Sequence, residues 1–68
     1  MHKTDYQNFI YEVFNKPDEI VYDSINKEYL YIKGADLLRI GEARKFISLY
    51  HGVQSDRVVK TIMNGSGI

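Results

Sequence analysis

The first apolar positions of the chain recur at helical spacing. Thr4 and Gln7 have the spacing of a capping box, and behind them one stripe of large apolar side chains follows at intervals of three and four residues: Tyr6, Phe9, Ile10, Val13 and Phe14. Pro17 disfavours the helical conformation at Lys16. The pattern predicts a helix over residues 4–15.

The next segment changes to residues that favour strands. Two runs rich in β-branched and aromatic residues, 20–22 and 29–32, flank the polar stretch DSINKE, in which Asn26 tolerates a left-handed turn conformation. Alternation along a strand places Leu30 and Ile32 on one face and Tyr29 and Tyr31 on the other. We expect a two-stranded antiparallel hairpin with Leu30 and Ile32 in the core.

After Gly34 the pattern favours helices again. Residues 35–40 suit a short helix that Gly41 interrupts, and Ala43, Phe46, Ile47 and Tyr50 then recur at helical spacing. Gly52 suits a helix end, and Ser55 suits the cap of a last helix. That helix has an apolar side made of Val58, Val59, Ile62 and Met63.

The predicted fold class is therefore α+β: an N-terminal helix, a two-stranded antiparallel hairpin and a C-terminal helical pair, in one domain over residues 1–68. We expect the following residues to be buried together: Tyr6, Phe9, Ile10, Val13, Phe14, Leu30, Ile32, Leu38, Phe46, Ile47, Val58 and Ile62.

Length and composition add expectations about assembly and location. A 68-residue chain without cysteine has neither disulfides nor thiolate metal sites to stabilise a small core. We therefore expect self-association as a homodimer. The N-terminal sequence lacks the apolar core of a signal peptide, and no apolar run is long enough to span a bilayer. We expect a soluble cytoplasmic protein that does not bind membranes.

The net charge is zero, but the charges are unevenly distributed. Residues 1–26 contain two lysines and five carboxylates, whereas residues 27–68 contain seven basic and four acidic side chains. The two parts thus carry net charges of −3 and +3. An acidic half and a basic half can present different surfaces to different partners.

No residues in the sequence have the spacing of a known catalytic or ligand-binding motif. The serines lack a nucleophile-elbow context, the glycines form no phosphate-binding loop, and the acidic residues lack calcium-loop spacing. His2 and His51 have no further ligands at zinc-site spacing. We expect a non-enzymatic protein without metal or cofactor.

Residues 43–62 resemble the helix-turn-helix family, in which a glycine-containing turn joins two helices. Gly52 occupies the turn, Val53 fills it, and Ser55 starts the second helix. The resemblance implies that the second helix contacts duplex DNA, and it places Gln54, Ser55, Arg57 and Lys60 next to bases and phosphates.

A second register is also compatible with DNA binding. The segment YIKGADLLRIGEARKFI resembles the opening of small excisionase-type proteins, a resemblance carried by Leu38-Arg39-Ile40-Gly41 and Phe46. It implies a recognition helix over residues 42–50, with Arg44 and Lys45 facing DNA. The leading hypothesis is a small regulatory DNA-binding protein, of a kind common in phages and other mobile elements.

The hairpin supports an alternative function. Tyr22, Tyr29 and Tyr31 lie close to acidic residues such as Glu28, and tyrosine is favoured at protein interfaces. Such a surface suits a small inhibitor or adaptor that binds a basic host protein. The same tyrosines equally suit cross-strand pairs that only stabilise the hairpin, and the C-terminal charges equally suit a solvated surface.

Overall fold

The structure is a computed structural model that describes residues 3–64, and side chains from residue 7 onward. Its elements are α1 (Lys3–Asn15), β1 (Glu19–Asp23), β2 (Glu28–Lys33), β3 (Asp36–Gly41), β4 (Phe46–Tyr50) and α2 (Ser55–Met63). The four strands form one antiparallel sheet in the order β1-β2-β3-β4. The molecule is therefore a small α+β domain in which one helix precedes the four strands along the chain and one helix follows them.

The prediction of a C-terminal helical pair is wrong. Residues 36–41 and 46–50 are strands that extend the predicted hairpin into a four-stranded meander. The N-terminal helix, the β1–β2 hairpin and the last helix were expected and are present. Residues 42–50 contain no helix. The first helix of the helix-turn-helix is therefore absent, and so is the recognition helix of the excisionase-like register.

Gly34 explains why residues 36–41 form a strand and not the predicted short helix. Lys33 pairs directly with Asp36, so Gly34 and Ala35 form a two-residue hairpin loop. Gly34 has a φ of +56° and occupies the first loop position, the arrangement of a type II′ turn. Gly34 was expected to end the β1–β2 hairpin, but it forms the turn of the β2–β3 hairpin.

The β3–β4 turn explains why residues 46–50 form a strand and not a helix. The Arg44 N–H donates to the Gly41 carbonyl at 2.8 Å, and Arg44 itself adopts a φ of +61°. A turn followed by a left-handed residue is a common three-residue hairpin loop. The register then shifts between Arg39 and Ile40, so Phe46 and Ile47 form a bulge. The bulge breaks the alternation, which left a helix-like spacing in the sequence.

The α1 face of the sheet holds the main apolar core. Val13 of α1 packs with Leu38 and Ile40 of β3, and all three side chains are buried. Tyr31 and Leu49 pack against this cluster from the neighbouring strands. The helix lies over β2 and β3, so the part of this face nearest β1 is not covered by α1.

The α2 face is the opposite side of the sheet. Leu30 and Leu37 point to it and are fully buried. At one end of α2 the Ser55 hydroxyl donates to the Gly34 carbonyl at 2.9 Å, and at the other end the Asn26 amide donates to the Ile62 carbonyl at 3.1 Å. These bonds tie both ends of α2 to this side of the sheet. Because Leu30 and Leu37 are fully buried here and the apolar side of α2 is half-buried, we infer that α2 covers this face.

The predicted core is partly correct. Val13, Leu30 and Leu38 are buried, and five members are half-buried: Phe9, Ile10, Ile32, Val58 and Ile62. Phe14, Phe46 and Ile47 are exposed instead, because the last two lie on an outer, bulged strand and not in a helix. Leu37 and Ile40 are buried and were not predicted. The Tyr6 side chain lies outside the described residues.

Candidate functional site

The side of the α1 face nearest β1 carries a cluster of large side chains, which we call the aromatic patch: the exposed Phe14, Ile20, Tyr22 and Tyr29 and the half-buried Tyr31. The strand register creates it, since Ile20 pairs with Tyr31 and Tyr22 pairs with Tyr29. Phe14 at the end of α1 stacks on Tyr31 with a ring-centroid distance of 5.3 Å. The three predicted tyrosines are thus brought together on one face.

The patch borders an open cavity of about 460 Å³. Phe14, Ile20, Tyr29 and Tyr31 form its apolar wall, and the β3–β4 turn closes one end with Glu42 and Arg44. Ile20 is 51% exposed although it lies within β1 and pairs with Tyr31. An apolar concavity with charged residues at one end is typical of a surface that binds another molecule.

Tyr22 is held in place by a group that sequence reasoning missed. Its hydroxyl donates a hydrogen bond to the Glu42 carboxylate across β2, and its ring lies 5.0 Å from that of Tyr29. The hydrogen bond to Glu42, with smaller contributions from burial and from the charge of Glu42, raises the pKa of Tyr22 to about 12. The Tyr22 ring is therefore a neutral, oriented part of the patch.

Glu28 does not belong to this surface. Its carboxylate lies on the α2 face, is 1% exposed, and accepts hydrogen bonds from Arg39 Nε at 2.6 Å and Nη2 at 3.1 Å. Arg39 Nη1 also donates to the Tyr50 hydroxyl at 3.1 Å. The proposed role of Glu28 as an exposed acidic contact is incompatible with this position.

The electrostatics of this buried network follow from its hydrogen bonds. The bond to Glu28 raises the pKa of Arg39 further above its usual value, so the guanidinium is always charged. The Ser48 hydroxyl and the Arg39 guanidinium lower the pKa of Tyr50. Since the charges satisfy one another beneath α2, the network acts as a structural connection between β2, β3 and β4.

Asp23 is the second buried carboxylate on the α2 face. Its oxygens accept hydrogen bonds from the Ile25 N–H, the Asn26 N–H and the Asn26 amide, at 2.7–3.2 Å. Burial opposes ionisation of Asp23, but these bonds outweigh it and lower the pKa. Asp23 therefore organises the β1–β2 loop, in which Lys27, and not Asn26, has the positive φ of 58°.

The residues proposed to contact DNA form two separate groups. Arg44 and Lys45 lie in the β3–β4 turn, whereas Gln54, Ser55 and Arg57 lie at the start of α2 and Lys60 lies in its last turn, all four lining a groove beside the β2–β3 turn. These turns are at opposite ends of six-residue strands, about 20 Å apart. The two groups do not form one continuous surface.

The group on α2 lines an open groove of about 530 Å³. Gln54, Arg57 and Lys60 are exposed along it, together with the acidic Asp56. Ser55 is buried and its hydroxyl is bonded to the Gly34 carbonyl, so it is not available to a base. The cap residue of α2 is Gln54, where Ser55 was predicted, and its side chain makes no capping bond.

Other kinds of site find no support in the part of the chain that the structure describes. Within residues 3–64 there is no group of three or more His, Cys, Asp or Glu side chains that could hold a metal ion. His51 lies beside Asp36, with Nδ1 2.6 Å from the carboxylate, and its ring contacts Phe9. None of the described helices is long and apolar enough to cross a membrane.

No family model, curated protein or solved structure matches this chain.

Proposed function

We propose that this chain is a protein-binding module, an inhibitor or adaptor in kind, that recognises its partner through the aromatic patch. The observation that carries the proposal is the exposure of Ile20 beside two paired tyrosines on a face that α1 leaves uncovered. Tyrosine combines a large apolar area with a polar tip, and clustered exposed apolar residues mark interaction surfaces. The bond from Tyr22 to Glu42 fixes the patch before binding, which reduces the entropic cost of association.

The charge of the N-terminal part of the chain, which contains β1, favours a partner with basic residues. Glu19 is exposed on β1, on the α2 side of the sheet, and Glu42 stands with Arg44 at the end of the cavity. The first 26 residues carry a net charge of −3. Complementary charges at the margin of an interface increase the association rate and select the partner, while the apolar centre supplies most of the affinity.

Affinity capture with matched variants tests this proposal. The tagged parent protein, a Tyr22→Ser/Tyr29→Ser variant and a Tyr11→Ser control are each incubated with cell extract, and bound proteins are identified by mass spectrometry. Tyr11 is an exposed tyrosine that lines a different cavity. A candidate partner is then purified, and its affinity for the three proteins is measured by calorimetry.

We expect the purified partner to bind the parent and the Tyr11→Ser control, and to lose about tenfold or more in affinity for the double variant. Circular dichroism confirms that each variant is folded. A partner that binds all three proteins equally would show that the aromatic patch is not the binding surface.

Duplex DNA is a second candidate partner, favoured by one observation. Arg57 and Lys60 are exposed in one groove on α2. Arg57 lies in the first turn, where the helix dipole adds a partial positive charge, and Lys60 lies in the last turn. A gel-shift titration with random duplex DNA at low and moderate salt tests this candidate. Binding through phosphates weakens steeply with salt, and an affinity that is independent of salt would exclude it.

A further inference from the structure

The outer edge of β1 is the longest uninterrupted free edge of the sheet. β1 and β4 are the outer strands, and in residues 3–64 neither has a strand partner on its outer side. The β4 edge is distorted by the bulge at Phe46 and Ile47. β1 contains no bulge, proline or lysine, three of the devices that prevent a free edge from pairing, and its charged residues, Glu19 and Asp23, lie only at its two ends.

The free edge borders the aromatic patch. Ile20 and Tyr22 of β1 point to the α1 face and are exposed by 51% and 41%. A strand added beside β1 would place every second side chain on that face, against Ile20 and Tyr22, and the others near Glu19 on the α2 face. The backbone of β1 and the side chains of the patch thus offer one continuous binding surface.

We infer that β1 binds an extended segment of a partner protein as a fifth strand, with apolar residues against Ile20 and Tyr22 and basic residues near Glu19. This inference rests on the proposed function and adds the mode of binding. Backbone hydrogen bonds along the edge supply affinity, and the alternating side chains supply specificity.

The exposed Glu19 at the start of β1 favours a basic segment over a second copy of this chain. Antiparallel pairing of β1 with itself about Val21 would bring Glu19 opposite Asp23, and like charges directly opposite each other destabilise a pair of strands. Lysine or arginine on the incoming strand would instead pair with Glu19. A partner strand that alternates apolar and basic residues therefore fits the edge.

Synthetic peptides test the inference. The probe is an octapeptide of four Val-Lys repeats, the charge control is four Val-Glu repeats, and binding is measured by amide chemical-shift changes in the full chain. Two further Val-Lys peptides carry backbone N-methyl groups, one on every valine and the other on every lysine. In a strand, alternate residues point their N–H groups to opposite sides, so only one of these two peptides can still pair with β1.

We expect the Val-Lys peptide to shift the amides of β1 and the Val-Glu peptide to bind more weakly. One N-methylated peptide keeps binding and the other loses it. Ile20→Lys lowers the affinity for the Val-Lys peptide by about tenfold or more, and a tenfold loss corresponds to roughly 1.4 kcal/mol. The matched control is Ile25→Lys, because Ile25 is 61% exposed in the β1–β2 loop and outside the patch; this variant binds like the parent.

Several outcomes overturn the inference. If both N-methylated peptides bind equally, the peptide docks by its side chains alone, and the proposed function stands without strand addition. If no peptide shifts β1 at millimolar concentration, the edge is not a strand acceptor, whereas patch-dependent capture of a partner remains a separate result. If sedimentation shows a dimer of the parent that Ile20→Lys makes monomeric, the occupant is a second copy.

Discussion

The Glu28 carboxylate on β2 accepts two hydrogen bonds from the Arg39 guanidinium on β3, at 2.6 and 3.1 Å. Arg39 pairs directly with Leu30, so Glu28 is its diagonal neighbour two residues along the strand. The paired side chains lie under α2, where Glu28 is almost completely buried and Arg39 is 20% exposed. A buried charge in this position needs its partner, because water does not compensate it.

Removing one member of this pair should destabilise the domain strongly. Glu28→Ala leaves the Arg39 guanidinium with only the Tyr50 hydroxyl among its hydrogen-bond acceptors in the described residues, and we expect a loss of about 3 kcal/mol in the free energy of unfolding. Urea denaturation measures it. Glu28→Met/Arg39→Met should recover most of the loss, since an apolar pair carries no unpaired charge. A double variant as unstable as Glu28→Ala would contradict this account.

Asp23 should make stability depend on acidity. Its folded-state pKa is lowered by the bonds from Asn26 and Ile25, so its stabilising effect is present above the unfolded value of about 3.9 and is lost as the pH falls through the folded value. We expect Asp23→Asn to reduce stability at neutral pH and to flatten the loss below about pH 4. Thermal melts at several pH values measure both effects. Asp56→Asn, on the exposed side of α2, removes one carboxylate without touching the β1–β2 loop and serves as the control for the loss of a negative charge.

Core substitutions should separate the observed fold from the predicted one. Leu38 is fully buried between α1 and the sheet, so Leu38→Ala should cost about 2–5 kcal/mol. A helical Phe46 in the core would cost about 3–5 kcal/mol when changed to alanine. In the observed strand Phe46 is 47% exposed, and Phe46→Ala should cost only about 1–2 kcal/mol. A loss of about 3–5 kcal/mol for Phe46→Ala would contradict the exposed strand position of Phe46.

These contrasts show which features local patterns could predict. The first helix has one continuous apolar stripe and a proline just beyond its end, and the β1–β2 hairpin has two β-branched and aromatic runs. Local preference and tertiary packing agree in both, so both were predicted. The last helix was predicted for the same reason, although its cap is Gln54 and not Ser55.

The β3–β4 hairpin could not be predicted from periodicity, because two features imitate helices. Leu37 and Leu38 are buried on opposite faces of a sheet covered on both sides, so β3 has no simple alternation. The bulge after Phe46 adds one residue to β4 and shifts its apolar positions. The two-residue loop at Gly34 was the one local indication of a hairpin, and it was interpreted as a break.

The candidate site was predictable only in part. Tyr22, Tyr29 and Tyr31 were grouped correctly because they lie on adjacent strands of the predicted hairpin. Ile20 was missed because its exposure depends on how much of the sheet α1 covers. Glu42 was missed because its position depends on the β3–β4 turn. Glu28 was misplaced for a related reason: the helix that buries it packs from a distant part of the chain.

The Tyr22–Glu42 contact should be visible in a phenol titration. Tyr22 in the parent should ionise near pH 12, because its hydroxyl donates a hydrogen bond to Glu42 and the phenolate would be repelled by that carboxylate. Glu42→Gln removes the negative charge and should move this ionisation toward the ordinary value of about 10. Ultraviolet absorbance of the phenolate measures the change, and Tyr22→Phe identifies the signal. An unchanged titration in Glu42→Gln would contradict the proposed anchoring of the patch.

Charge reversal on the exposed side of α2 separates the two candidate functions. Arg57→Glu/Lys60→Glu alters two exposed side chains and leaves the apolar side of α2 intact, so the fold should persist. If duplex DNA is the partner, this variant should lose DNA binding, because two cations become repulsive to phosphate. The Tyr22→Ser/Tyr29→Ser variant should then bind DNA like the parent, since the patch lies on the opposite face of the sheet.

If a protein is the partner, the effects of the two double variants exchange. The tyrosine variant should lose partner binding, and the charge reversal should change at most the association rate. We expect this second pattern, because the patch is contiguous and ordered, whereas the proposed DNA contacts are divided between opposite ends of the sheet. Gel shifts with duplex DNA and calorimetry with the captured partner, on both variants, decide the matter. A folded Arg57→Glu/Lys60→Glu variant that loses a salt-dependent DNA affinity, beside a tyrosine variant that keeps all binding, would assign the function to α2.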